Sequence, residues 1–498
     1  MIRRVLIANR GEIARRVIRT CRAMGIRTVA VFSDADRDAP HVQEADDAVG
    51  IGPAAAALSY LDVARVIDAG RRTGADAVHP GYGFLSENAG FAEACEAAGI
   101  VFIGPPGSVI RAMGSKTGTR AAVSRAGVPV VPGATPRAQD TAGIVEAIRQ
   151  VGLPVMLKAA GGGGGKGMRV VRREDEFAPA IESARGEARR SFGNDALYVE
   201  RLVERARHIE VQVMADRHGQ AAHLFERDCT LQRRHQKVIE EAPGPTVTAG
   251  LRDRLTRAAL QAARAVGYVN AGTVEFLVEP AASGEPSFYF LEMNTRLQVE
   301  HPVTEAITGL DLVRTQIEIA NGDPLPFRQS DIALRGHAIE CRVYAEDPVR
   351  LLPQAGRLLR YREPAGDGIR VDSGVVQGQQ VTVHYDPMIA KLVAHAPTRG
   401  QAVARTLEAL SAFALVGIRH NIPFLAALLR RPEVASNDTH TRFIEEHLDE
   451  LVRPPDPALR AAAAAVAARL ATSEPVLAEQ EEPTAAFDPW QTLGRVTW

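Results

Sequence analysis

The amino-acid sequence predicts an α/β (α+β) protein that opens on a parallel sheet and continues into antiparallel ones. Three observations predict it: β-like and helical runs alternate over residues 1 to about 115, a glycine run separates two strand-like segments, and two further strands meet at Ser283-Gly284-Glu285-Pro286. The first stretch reads as strand Arg3–Ala8, helix Glu12–Met24, strand Thr28–Phe32, helix Tyr60–Thr73 and strand Ala77–His79. Only Gly11 follows the first strand, without GxGxxG, so nothing there demands a nucleotide.

A chain of 498 residues is too long for one core and is expected to form two or three domains. The pattern divides at 1–115, 116–334, 335–450 and a tail 451–498, with an inner unit at about 130–203 behind the Val/Pro-rich stretch Val128–Gly133. In the tail, Ala458–Leu470 reads as an alanine-rich helix and Ser473–Pro489 as an acidic linker. Asp488-Pro489-Trp490 through Trp498 holds both tryptophans and reads as a loosely ordered terminus, with a docking segment as the alternative.

A net charge of −1 argues against nucleic acid as a partner. No apolar run approaches the ~20 residues of a membrane span, and the N-terminus lacks the pattern of a secretory signal. Cys21, Cys95, Cys229 and Cys341 are widely spaced, as expected of reduced thiols in a cytoplasmic protein. Of 59 basic residues only Lys116, Lys158, Lys166, Lys237 and Lys391 are lysines. Where arginine serves as the general surface cation, the surviving lysines mark places that need a compact ammonium, such as a phosphate or small-anion contact.

Val155–Lys158 and Met168–Val171 read as strands flanking the run Gly161–Gly165. Glycines let a backbone approach a polyphosphate and aim N–H groups at it. Lys166 is followed by Gly167, not Ser or Thr, which excludes a Walker A loop, and the strand that follows excludes a dinucleotide fingerprint. A glycine hairpin closing over phosphates remains. The second strand pair, Gly272–Val278 and Ser287–Glu292, sets Glu275 opposite Glu292 if the hairpin centres on Ser283 and Gly284. Opposed carboxylates repel, and a divalent cation bound also by Asn294 relieves that. If the strand runs on to His301, then Glu292, Asn294, Arg296, Gln298 and Glu300 share one face, a wall offering acid, base and anion-binding groups. Between Leu224-Phe225 and Val238-Ile239 lies a densely polar segment in which His235 and Lys237 suit phosphate or bicarbonate. Cys229, without a partner base, reads as a structural thiol.

These residues together resemble the biotin carboxylase family of ATP-grasp enzymes, from about Arg3 to Leu448. The resemblance rests on Ile7-Ala8-Asn9-Arg10-Gly11-Glu12-Ile13-Ala14, on His79-Pro80-Gly81-Tyr82-Gly83-Phe84-Leu85-Ser86-Glu87-Asn88 and on Lys158 with the glycine run. Arg233-Arg234-His235-Gln236-Lys237 and Glu292 through Pro302 complete it. It implies a Rossmann-like N-terminal domain, an ATP-grasp domain whose lid spans about 130–203, and a biotin carboxylase C-terminal domain. It further implies ATP binding by Lys116, Lys158, Gly164, Gly165, His208, Gln232, His235, Glu275, Leu277 and Glu292, with Glu200, Arg201, Leu202 and Val203 at the adenine. Magnesium (or manganese) falls to Glu275, Glu292 and Asn294; bicarbonate to Lys237, Arg296, Gln298, Val299 and Glu300, with Glu300 as base; biotin to Tyr82, Gly83 and Arg342.

The implied partners are a biotin carrier protein or domain on another chain and a carboxyltransferase subunit, since no lysine here stands in a Met-Lys-Met setting. An oligomer is expected, although Ala23 and Asp367 replace the Glu and Phe of the family's dimer contact while Arg19 and Arg370 are retained. Two rival readings are an ATP-grasp ligase making a carboxy- or acylphosphate for another acceptor, and a non-catalytic ATP-binding scaffold. The context of Arg342 and Gln298–Glu300 favours biotin over the first, and the intact set Lys237, Glu275, Glu292, Arg296, Glu300 and Arg342 argues against the second.

Overall fold

A computed structural model describes residues 1–161, 167–281, 283–452 and 457–473. The polypeptide forms two compact units, each assembled from segments distant in sequence. One comprises Arg3–His79, Gly336–Asp438 and the residues from Glu446 on; the other comprises Met1–Ile2, Pro80–Arg335 and Thr439–Glu445.

The first unit begins as expected, with β1 (Arg4–Ile7), α1 (Gly11–Ala23), β2 (Arg27–Ser33), β3 (Asp47–Gly52), α2 (Val63–Thr73) and β4 (Ala77–His79). The strands pair in parallel in the order β3-β2-β1-β4. Their near-continuous apolar runs suit a sheet covered on both faces. Helix α2 starts where the Asp62 side chain accepts the Arg65 amide and stops at Gly74, whose φ of 62° suits a residue without a Cβ. The strand β3 escaped the sequence reading because Asp47-Ala-Val-Gly-Ile-Gly carries two glycines.

The other unit carries α3 (Ala89–Ala97) and α4 (Lys116–Arg125), capped by the side chains of Asn88 and Ser115. A small module follows: β5 (Gly133–Ala134), α5 (Thr141–Val151), β6 (Val155–Ala159), β7 (Arg169–Val171), α6 (Phe177–Phe192) and β8 (Leu197–Arg201). Its antiparallel sheet runs β5-β8-β6-β7, and Ile148, Leu157, Val171, Ile181 and Val199 close a core of its own. As expected, two antiparallel strands flank the glycine run; Gly162 to Lys166 lie outside the described residues.

Behind this module stand β9 (Arg207–Ala215), β10 (Ala221–Arg233), β11 (Gln236–Ala242), α7 (Ala249–Ala265), β12 (Asn270–Glu279), β13 (Ser287–Asn294) and α8 (His301–Thr308). The strands pair antiparallel in the order β13-β12-β9-β10-β11. Val211, Val213, Val274 and Phe276 on β9 and β12 belong to one core with Leu251, Leu255 and Ala259 of α7. The alternate residues form the polar row described below.

Returning to the first unit, β14 (His337–Tyr344), β15 (Ile369–Ser373) and β16 (Met388–Ala396) pair antiparallel as β14-β16-β15 and are followed by α9 (Arg399–Ala412). Helix α1 lies close against this sheet: a Cβ on Gly374 would stand 2.7 Å from the Glu12 amide nitrogen. There the buried Lys391 ammonium is 3.1 Å from Glu12. Arg19 and Arg370 both pair with Asp372, at 3.0 and 2.6 Å. The alanine-rich helix is α10 (Pro457–Ser473); the expected linker and docking segment beyond it fall outside the described residues.

The separate core of the small module yields a prediction. Leu157→Ala, at a fully buried position, should cost about 2–5 kcal/mol, and hydrogen exchange should place the loss in residues 133–201. Equal acceleration across β9–β13 would show that the module does not unfold by itself.

Candidate active site

Residues paired across the central strands put like charges side by side. Glu210 on β9 is the register partner of Glu275 on β12, which is the partner of Glu292 on β13; Arg227 on β10 stands opposite Glu210. The expected pairing of Glu275 with Glu292 is therefore present. A bulge follows it immediately, with Phe276 opposite Phe290 and Leu291 left over. Such a bulge adds twist and redirects the neighbouring side chains.

Buried carboxylates need partners. Lys237, at the start of β11, supplies them. Its Nζ donates to Glu275 at 2.8 Å, to Glu300 at 2.6 Å and to Glu210. Glu210 and Glu300 are fully buried and Glu275 nearly so. Burial alone lowers an ammonium's proton affinity, but three carboxylates hold Lys237 well above its ordinary pKa. The two carboxyls facing each other across β9 and β12 diverge. Burial pushes Glu275 up, yet Lys237 and His208 outweigh it and hold the group far below the usual range. Glu210 ends above its ordinary value, because burial and the neighbouring Glu300 exceed what Lys237 provides. His208 Nε2 lies 2.9 Å from Glu275; burial lowers the imidazole, but Glu275 more than restores it and the pKa rises.

The segment after β13 corrects one expectation. The strand ends at Asn294, and residues 295–300 bend and turn into α8, whose N-cap is Glu300. Polar alternation there reflects a turn, not an extended wall. The same groups still converge through side-chain bonds. Asn294 Nδ2 donates to Glu275 at 2.8 Å, and Arg296 Nη2 to Asn294 Oδ1 at 3.3 Å. Arg296 Nη1 donates to Gln298 Oε1 at 3.0 Å, leaving the buried Gln298 Nε2 without a partner among the described residues. Val299 is half-buried at the end of this turn.

Glu87 holds this segment from outside. Its carboxylate accepts the Thr295 amide at 3.1 Å and Arg296 Nε at 3.0 Å, tying the loop of Tyr82 and Gly83 to it. Gln232 Nε2 stands 3.5 Å from His208 Nδ1, and His235 occupies the exposed tip between β10 and β11. That tip is a two-residue turn in which Arg234 and His235 have φ of 49° and 64°. Asn-Gly is the usual choice there; side chains larger than glycine cost strain.

The remaining nucleotide candidates lie toward the small module. Lys158 Nζ donates to Glu200 at 2.5 Å, and Arg120 pairs with the other Glu200 oxygen at 2.7 Å. Arg201 forks onto Glu279 at 2.9 and 2.7 Å. With Leu202 it lines a cleft of about 520 Å³ that shares no residue with the Lys237 cluster. Val203 packs with Val131 and Ala206, against Leu277 and Tyr289. The Lys116 side chain and both Gly164 and Gly165 fall outside the described residues. Arg342 sits on β14 in the unit that contains α1, where Asn421 Nδ2 donates to its carbonyl at 2.9 Å. Cys229 is buried and its thiol is pushed far up by burial, in keeping with a structural thiol; no disulfide joins the four cysteines.

Glu275 and Glu292 are register partners on adjoining strands, and Asn294 turns its amide nitrogen to Glu275 and its oxygen to Arg296; carboxylate and amide oxygens are the donors hard divalent cations take. His208, Glu210 and Glu275 also bring ligand atoms within 4.8 Å of one another, but the Lys237 ammonium already contacts two of the three. Sequence reasoning passed over Glu210. The signal was present in His208-Ile-Glu210-Val-Gln212-Val, whose alternation puts three polar groups on the face of Glu275.

Lys237→Met leaves buried carboxylates without their cation and should cost about 3–5 kcal/mol near neutral pH, measured by chemical denaturation. The pH slope should also change sign. The depressed pKa of Glu275 gives the wild type stability that is lost as pH falls through the folded value. In the variant, stranded carboxylates titrate above their unfolded values, so the folded state binds extra protons and stability rises as pH falls. Parallel slopes in the two proteins would contradict this electrostatic picture.

Family models match the chain in three blocks. Residues 1–110 match the biotin carboxylase N-terminal domain, 115–328 the carbamoyl-phosphate synthase L chain ATP binding domain, and 340–446 the biotin carboxylase C-terminal domain. A biotin carboxylase of Halalkalibacterium halodurans is 51% identical over 90% of this chain and 98% of its own length. The mitochondrial methylcrotonoyl-CoA carboxylase subunit alpha of Arabidopsis thaliana is also 51% identical over 90% of the chain, which spans 61% of that subunit. Among solved structures, the biotin carboxylase domain of Hydrogenobacter thermophilus 2-oxoglutarate carboxylase, in complex with MgADP, ADP and bicarbonate, superimposes with a TM-score of 0.87. It is 43% identical and covers 92% of this chain and 100% of its own. With its helices, sheets and motifs matched along nine tenths of its length, the chain belongs to the biotin carboxylase family of ATP-grasp enzymes, which are ATP-dependent ligases.

Proposed function

We propose that the chain uses ATP to activate bicarbonate as carboxyphosphate and delivers the carboxyl group to biotin. The observation that carries this reading is Gln298. Its amide is buried, its oxygen is held by Arg296, and its Nε2 donor has no partner among the described residues. An unpaired buried donor costs about 1–3 kcal/mol, so an acceptor that reached it would relieve that cost. Contacts run from Gln298 through Arg296, Asn294 and Glu275 to Lys237 and Glu300. A small anion that has a proton to give to Glu300 fits those groups, and bicarbonate is such an anion.

Glu300 takes the bicarbonate proton, and the oxygen so freed attacks the γ-phosphorus of ATP, expelling ADP. Lys237 and Arg296 neutralise the charge that spreads over the transferring group, a step in which positioning and electrostatics do most of the work. Lys116, Lys158, Gly164, Gly165, His208, Gln232, His235 and Leu277 bind ATP, with Glu200 to Val203 at the adenine. A divalent cation held by Glu275, Glu292 and Asn294 supplies further charge neutralisation to the phosphates. Carboxyphosphate then separates into CO₂ and phosphate, the phosphate takes the biotin N1′ proton, and the nitrogen attacks CO₂. Arg342 steadies the enolate oxygen, with Tyr82 and Gly83 beside biotin. The segment from about 130 to 203 is the lid that keeps water from the labile intermediate. The relative crystallised with MgADP and bicarbonate supports these ligands.

Biotin reaches the site on a carrier outside these 498 residues, and a carboxyltransferase passes the carboxyl group on. The enzyme works in the cytoplasm, a setting that suits four cysteines joined by no disulfide. Among the described residues no helix is long and apolar enough to cross a membrane.

The test follows ADP release with bicarbonate and free biotin each left out in turn. Release that needs bicarbonate and rises with biotin is expected. Release indifferent to biotin points to another acceptor, and ATP binding without release points to a scaffold. Glu300→Gln should lower bicarbonate-dependent release about 10²–10⁴-fold while ATP affinity holds. Arg342→Ala should harm biotin carboxylation more than ATP cleavage; equal losses would move Arg342 to the phosphates.

A further inference from the structure

Arg227 on β10 is among the largest fully buried side chains described. Its Nε donates to Glu210 Oε1 at 2.6 Å, Nη1 to Gln212 Oε1 and to Thr304 Oγ1, both at 2.9 Å, and Nη2 to Thr273 Oγ1 at 3.1 Å. One planar fork thus reaches two residues of β9, one of β12 and one of α8. Replacing a buried charge and its partner by apolar groups is often neutral or stabilising, so fold stability alone is a weak reason for this network.

Its two ends reach the proposed anion pocket. Glu210 gives one oxygen to Arg227 and the other to Lys237. Thr304 lies four residues after Glu300, one turn along the helix that Glu300 caps. We propose that Arg227 is a positioning residue that sets the spacing of Lys237 and Glu300, and through it the fit of the bicarbonate pocket. It touches neither substrate. Glu210 keeps Lys237 on station when bicarbonate engages Glu300 and a cation engages Glu275, while Thr304 fixes the first turn of α8. Gln212 and Thr273 stop the guanidinium from turning, which a lysine with one rotatable ammonium cannot reproduce.

This inference rests on the bicarbonate reading, and the experiment separates the two. Steady-state ADP release is measured on the full chain for wild type, Arg227→Lys, Thr304→Val and Thr304→Ser, varying bicarbonate and ATP independently, with melting temperatures alongside. Thr304→Val should raise the KM for bicarbonate about fivefold and Arg227→Lys about tenfold or more, with KM for ATP held within about twofold. Thr304→Ser, which restores the hydroxyl, should return the bicarbonate KM close to wild type. A merely structural role lowers the amount of active enzyme and leaves both KM values unchanged; that outcome overturns the inference. Thr304→Val keeps the test sound if Arg227→Lys does not fold, since it keeps the shape of the side chain and alters one bond. A wild type whose ADP release ignores bicarbonate overturns both the function and this inference, whereas a bicarbonate-dependent wild type matched by its variants removes Arg227 alone.

Discussion

The Lys237 ammonium, held between Glu210, Glu275 and Glu300, is the interaction around which the candidate site is organised. Three carboxylates with little access to water cannot all stay ionised without it. Its position follows from the hairpin of β10 and β11, which turns in two residues and returns Lys237 opposite Gln232. The strained backbone at Arg234 and His235 is the local cost of that short return. One ammonium serves three acids from three elements, β9, β12 and the start of α8, so displacing any of them disturbs the others.

The divergence of Glu210 and Glu275 follows from the same arrangement. Neighbouring acids on adjacent strands do not share a cation evenly: Glu275 also has His208 and the Asn294 amide, whereas Glu210 has Arg227 on one oxygen and the repulsion of Glu300 nearby. Glu275 is thereby kept ionised, as a carboxylate that is to bind a hard cation must be. The arrangement therefore serves stability and the proposed chemistry together.

Much of this was legible in the sequence because sheet registers leave local traces. The turn at Ser283 and Gly284 was enough to place Glu275 against Glu292, and the five-lysine census included Lys158, buried against Glu200, and Lys237, but also Lys391, which pairs with Glu12 away from these groups. The turn after Asn294 was misread because alternating polar and apolar residues look the same in a strand and in a tight turn. Pro302, in the first turn of α8, was the available sign that a helix starts there. Glu87 and Arg227 acquire meaning only through partners distant in sequence: Glu87 meets Arg296 across 209 positions and Arg227 meets Thr304 across 77. No local pattern encodes such contacts. The match to family models could name the chemistry, but the reason Arg227 is buried where it is comes from the structure.

The central claim is that the groups around Lys237 bind bicarbonate so that one of its oxygens attacks the γ-phosphorus of ATP. Bicarbonate labelled with heavy oxygen, followed into the products by mass spectrometry of the released phosphate, tests this most directly. The account predicts that phosphate formed in each turnover carries one labelled oxygen, because the bridging oxygen of carboxyphosphate leaves with phosphorus. Phosphate that takes its new oxygen from water instead would contradict it, and Lys237 with its three carboxylates would then be serving water-driven ATP hydrolysis.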